Sequence, residues 1–190
     1  LLNQTGVANR IFAFALALVG HIRGSLAHVN VIASIIFAGM SGVAAADAAG
    51  LGAIEVRAMK KAGFSASFSA AITATSSIIG PIIPPSVIMV LYAVMAQVSI
   101  GDMFLAGIIP GLLMGLALMI TVYILAVTGR VDVPIRERAA NGEVARTFVR
   151  ALPALFAPAF LVGGLLLGVA TPTELGALTC AYAILLGLGY

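Results

Sequence analysis

The strongest chemical signal in the chain is a break. Gly80-Pro81-Ile82-Ile83-Pro84-Pro85 stands between two apolar stretches. Proline lacks a backbone N–H, and its ring clashes with the preceding helical turn. It also pushes the residue before it into extended geometry. A regular helix cannot pass through this segment, although residues 86–97 resume a helical, apolar pattern. Irregular backbone at membrane depth is tolerated only against protein or an aqueous cavity. Carbonyls freed there can coordinate Na⁺, and freed amides can meet a carboxylate. Ser76, Ser77, Gly80 and Pro81 fit an ion-binding break, and Ser86 is placed to cap the second half-helix. A kink that only shapes packing is the competing account.

A second interruption is Gly39-Met40-Ser41-Gly42, which offers flexible backbone and one hydroxyl. As the tip of a hairpin it would face residues 76–86, making a cation site from Ser41, Gly42 and the break without a carboxylate ligand. The alternative is that the glycines merely allow close helix packing. Asp47 is the one acid inside this uncharged run, and an unpaired carboxylate is expensive there. Cation ligand, proton carrier and structural acceptor all remain open for it. Glu55 and Arg57 read as boundary residues.

Other chemistry is weakly supported. Gly39-Met40-Ser41-Gly42 also matches a GxSG pattern, so an intramembrane serine protease with Ser41 as nucleophile is one alternative. A nucleophile needs a base within hydrogen-bond reach, and His21 and His28 both lie upstream near a charged boundary. Seven residues apart, they suit one helix face, but no carboxylate or cysteine cluster joins them into a metal site. Cys180 is the only cysteine and reads as a small hydrophobe. Phosphate-cradling loops, dinucleotide fingerprints and haem motifs are absent from the sequence. A non-transporting scaffold subunit is the remaining alternative.

The elements that must position these residues follow from composition. Of 190 residues, 62% are hydrophobic and only 9% charged, against about 25% charged in soluble domains. Mean hydropathy is +1.16. With 10 basic and 7 acidic residues the chain has no nucleic-acid signature; its basic residues cluster between apolar runs, as cytoplasmic loops do. The pattern predicts an all-α polytopic membrane protein in the lipid bilayer. Residues 1–25 read as the end of a helix and its boundary. Residues 26–57 read as a re-entrant helical hairpin, since arms of 12–15 residues reach only about 18–22 Å, short of a hydrocarbon core of about 30 Å; a single tilted crossing is the competing reading. Residues 58–98 form a discontinuous transmembrane helix and 99–128 a continuous one. Residues 129–150 make an amphipathic cytoplasmic connector, and 151–190 carry further transmembrane helices. Within the last, Thr171-Pro172-Thr173-Glu174 has the order of a capped helix start.

These residues together resemble a known family. Leu2-Asn3-Gln4-Thr5-Gly6, Val19-Gly20-His21-Ile22-Arg23-Gly24 and Leu26-Ala27-His28-Val29-Asn30 open an ordered series. Phe37-Ala38-Gly39-Met40-Ser41-Gly42 with Ala46-Asp47-Ala48-Ala49 continues it. Ile79-Gly80-Pro81-Ile82-Ile83-Pro84-Pro85-Ser86, Pro110-Gly111 and Thr171-Pro172-Thr173-Glu174 follow. The set resembles the large membrane subunit of tripartite ATP-independent periplasmic (TRAP) transporters, over essentially the whole chain. The resemblance implies a non-enzymatic secondary transporter of elevator type, built from inverted repeats, in the bacterial inner membrane. It implies uptake of an organic acid anion of the C4-dicarboxylate or sugar-acid class. Na⁺ would be the coupling ion, with no other cofactor. A periplasmic substrate-binding protein and a small membrane subunit would be partners. It assigns Ser41, Gly42, Ser76, Ser77, Gly80 and Pro81 to the cation, and Asp47, Pro84, Pro85, Ser86, Thr171 and Thr173 to substrate binding or site support. It also makes the chain resemble the first half and central connection of a longer subunit. Val43 departs from the Ser-Gly-Ser tip common in the family, removing one hydroxyl.

Overall fold

The computed structural model describes residues 7–131 and 142–189, and every regular element among them is helical. The elements are α1 (Val7–Val19), α2 (Ser25–Ser41), α3 (Ala44–Ala49), α4 (Leu51–Lys61), α5 (Ala66–Ser77), α6 (Val87–Ala96), α7 (Ile100–Val127), α8 (Glu143–Leu166) and α9 (Pro172–Gly189). The 2–6 stretch of the family series and residues 132–141 of the expected connector lie outside the described residues.

Local chemistry explains most boundaries. Ser65, Ser86 and Ser99 stand just before α5, α6 and α7, and each accepts from a backbone N–H three residues on, at 3.2–3.3 Å. Thr171 and Glu174 form a reciprocal capping box before α9. The Thr171 N–H donates to Glu174 Oε2 at 2.8 Å, and the Glu174 N–H reaches back to Thr171 Oγ1 at 3.4 Å. Residues 143–150, read from sequence as connector, are instead the first two turns of α8. They continue without interruption into an apolar run that contains Pro153 and Pro158.

Helices α7 and α8 are long and apolar enough to cross a membrane. At 28 and 24 residues they extend about 42 and 36 Å. Helix α2 is the hub and packs against α1, α3, α4, α5, α7 and α8. Its Val29, Ala33 and Phe37 join Ile11, Ala15, Val19, Leu51 and Ala154 in one apolar cluster. Ala27 and Val31 join Met59, Phe64, Ile72, Ile79 and Val122 in another. A helix buried on all sides need not be amphipathic, and α2 has buried polar residues between these faces. Helix α9 docks on α8, where the Tyr182 hydroxyl donates to the Pro153 carbonyl at 2.8 Å.

Candidate functional site

The two chain breaks meet. Helix α2 ends at Gly42, whose φ of 60° lies in the left-handed region that suits glycine, and its N–H bonds to the Ala38 carbonyl. A Cβ placed on Gly42 would collide with the Pro85 carbonyl oxygen and lie 3.1 Å from Ser86 Cα. The turn after α2 therefore rests directly on the backbone of the proline segment. Gly39, three residues earlier, faces Pro158 of α8.

Asp47 ties the breaks together. It is 1% exposed, in the first turn of α3. Its Oδ1 accepts a hydrogen bond from the Ser41 hydroxyl at the end of α2. Its Oδ2 has no hydrogen-bond partner and lies against Gly80, 2.6 Å from where a Cβ would stand. A side chain at position 80 would thus displace the carboxylate. Across the proline segment, the Ser86 hydroxyl donates to the Pro81 carbonyl at 2.6 Å while capping α6. Pro84 and Pro85 are joined by a cis peptide bond. The carbonyls of Gly80, Pro84 and Pro85 accept no hydrogen bond from the described residues. Such open carbonyls beside an unpartnered carboxylate oxygen are the donor chemistry a hard cation requires.

Six of the expected residues thus gather at one place: Ser41, Gly42, Asp47, Gly80, Pro85 and Ser86, with Pro81 and Pro84 in the same segment. Ser76 and Ser77 are buried one turn before it, but their hydroxyls already act as donors. Ser76 Oγ donates to Asn30 Oδ1 at 2.7 Å and accepts from Ser34 Oγ at 3.0 Å. Ser77 Oγ donates to the Thr73 carbonyl at 2.7 Å. Ser76 serves the α2–α5 contact and Ser77 bonds within α5, rather than either pointing unpaired into the break. Thr171 and Thr173 are not brought to the site, because Thr171 is engaged in the α9 cap and α9 packs on α8.

Sequence reasoning missed a polar seam. Asn30 Nδ2 donates to Thr73 Oγ1 at 2.7 Å, so Asn30, Ser34, Thr73 and Ser76 form one buried network between α2 and α5. The signal was present as polar residues at helical spacing, Asn30 with Ser34 and Thr73 with Ser76 and Ser77. Glu55 corrects another reading. Read as a boundary residue, it is 1% exposed, and neither carboxylate oxygen has a hydrogen-bond partner. The reason is helical phase: Leu51, Glu55 and Met59 share the inner face of α4, while Arg57, Lys60 and Lys61 point outward.

The histidines do not serve Ser41. His21 lies in the turn before α2, so the two do not share a helix, and His28 is buried rather than at a boundary. His28 Nε2 is 3.1 Å from the Arg23 carbonyl, at the opposite end of α2 from Ser41. Thirteen residues of helix separate them by about 20 Å. The Ser41 hydroxyl donates to Asp47 instead of to a base of the histidine kind.

Comparison with known proteins agrees. The DctM component of tripartite ATP-independent periplasmic transporters is the family whose model matches residues 1–190. The sialic acid TRAP transporter large permease protein SiaM of Vibrio cholerae is 46% identical over 98% of this chain and 43% of its own length. The C4-dicarboxylate large permease protein DctM of Pseudomonas aeruginosa is 39% identical over 96% of this chain and 42% of its own. The 2,3-diketo-L-gulonate large permease protein YiaN of Escherichia coli is 38% identical over 97% and 43%. The chain therefore spans less than half the length of these curated relatives. All three are named as permeases rather than enzymes. Matched by the family model along its whole length, the chain belongs to the DctM family of TRAP transporter permeases.

Proposed function

We propose that this chain contributes the ion-binding part of a permease that takes up an organic acid anion across the bacterial inner membrane, coupled to Na⁺. The observation that carries the reading is the contact of two broken backbones, with Asp47 held between Ser41 and Gly80. Helices α2 to α4 are read as a re-entrant hairpin, and α5 and α6 as two halves of one broken helix. Na⁺ would sit among the carbonyls of the Gly42 turn and the 80–85 segment, with the Ser76 and Ser77 shell as rigid support. Asp47 would hold the Ser41 hydroxyl and balance the charge of the ion.

The substrate class comes from relatives named for sialic acid, C4-dicarboxylates and 2,3-diketo-L-gulonate, all organic acid anions. Amides at the start of α6 are suited to a carboxylate because the first N–H groups of a helix lack intrahelical partners. An inverted second repeat, an elevator movement, a small membrane subunit and a periplasmic binding protein complete the proposed machine. Coupling requires ion and substrate to favour the same transporting state.

The test is uptake into proteoliposomes holding the full-length permease with its small subunit and cognate binding protein. Uptake should rise with an inward Na⁺ gradient, and Gly80→Ala should abolish that rise by displacing Asp47. Equal uptake with and without the gradient overturns sodium coupling. Na⁺-driven uptake that survives Gly80→Ala overturns the placement of the site.

A further inference from the structure

Glu55 belongs to no part of the site above, yet its position is defined on both sides. One turn before it, Gly52 lies against α5, and a Cβ there would be 2.6 Å from the Thr73 methyl. One turn after it, Met59 Sδ is 3.9 Å from Asn30 Nδ2, which itself donates to Thr73. Glu55 lies between these contacts on the same face of α4, turned toward the α2–α5 seam.

Among the described residues, no cationic side chain is recorded against it. Helix α4 packs against α1, α2, α3 and α5. Helix α5 carries no titratable residue. Helix α3 carries Asp47, of the same sign. Helix α2 carries His28, whose Nε2 faces the Arg23 carbonyl. Helix α1 carries Arg10, which lies against the Arg150 carbonyl of α8. On α4 itself Arg57, Lys60 and Lys61 are exposed, and Arg57 Nε bonds back to the Ala53 carbonyl.

The enclosure is made by this chain's own residues. A metal cation would need several oxygen ligands, and the neighbouring side-chain oxygens are already in use: Asn30 Oδ1 accepts from Ser76, and Thr73 Oγ1 accepts from Asn30. A proton needs no such shell. It neutralises a buried carboxylate whose oxygens have no hydrogen-bond partner among the described residues. We propose that Glu55 is a proton-binding site separate from the proposed Na⁺ site, and that its bound proton holds α4 against α2 and α5. The proton comes from bulk water and returns to it when that packing opens. Glu55 is six residues, about 9 Å, from the exposed end of α4 at Lys61.

The test uses the full-length permease with its small subunit and reads no uptake, so it stands or falls apart from the transport proposal. Infrared spectra at neutral pH should show a carboxylic-acid C=O stretch that shifts in D2O, persists in Asp47→Asn and disappears in Glu55→Gln. Wild-type thermal stability should fall as pH is raised, because the proton is bound in the packed state. Glu55→Gln, which keeps the shape without the charge, should flatten that fall. An absent band, a band removed by added Na⁺ at fixed pH, or an unchanged pH slope in Glu55→Gln overturns the proposal. Should Glu55→Gln fail to fold, the wild-type band and its response to Na⁺ decide alone.

Discussion

Helices α2 and α5 and helices α6 and α7 divide the molecule's chemistry in opposite ways. The first pair buries Ser25, His28, Asn30, Ser34, Ser69, Thr73, Ser76 and Ser77. The second pair buries chiefly small residues and Phe104, and turns Met95, Ile109, Leu113 and Tyr92 outward. In water this would be an inside-out protein. In lipid it is the stable arrangement: apolar side chains meet hydrocarbon, and polar ones must find partners inside. Polar residues in the α2–α5 seam therefore carry specificity, and apolar residues on α6 and α7 carry solvation.

That contrast can be broken by substitutions measured as thermal unfolding of the full-length permease. Gly42→Ala should do most damage. It combines a left-handed backbone with a collision against the Pro85 carbonyl, for a loss of roughly 2–5 kcal/mol. Asn30→Ala comes next, because it leaves the Thr73 hydroxyl without its donor and removes one acceptor from Ser76 in a buried network. A loss of about 1–3 kcal/mol is expected. Ser86→Ala removes both the α6 cap and the bond to the Pro81 carbonyl, at a cost of about 0.5–2 kcal/mol. Leu113→Ala, at a side chain 60% exposed, should change stability by no more than about 0.5 kcal/mol. A Leu113→Ala effect as large as that of Asn30→Ala would show that the α7 face is covered by protein. An Asn30→Ala effect near zero would remove the seam from the argument.

The places where the chain must turn were legible from residue types. Gly42, the 80–85 segment, the Ser caps and the Thr171–Glu174 box act through backbone geometry within a few residues. Local chemistry is what a sequence displays. Contacts across more than 40 positions were not legible. Asn30 with Thr73 and Ser34 with Ser76 required α2 and α5 to lie side by side in one register. Glu55 was misread for a related reason. Its neighbours Arg57, Lys60 and Lys61 suggested a solvated boundary, and only the helical phase of α4 against α2 and α5 put it inside.

Composition alone dictated an apolar, all-helical chain, and proline and glycine chemistry dictated where its helices stop. Those outcomes depend on solvent preference and on dihedral limits, which each residue carries with it. The choice of partner for each buried polar group was made by packing. Asp47 met Ser41 and Gly80, Ser76 turned to Asn30 rather than into the break, and Glu55 has no hydrogen-bond partner among the described residues. An unmet hydrogen bond or charge becomes costly only once neighbouring helices have excluded water, and which helices do so is a property of the assembled fold.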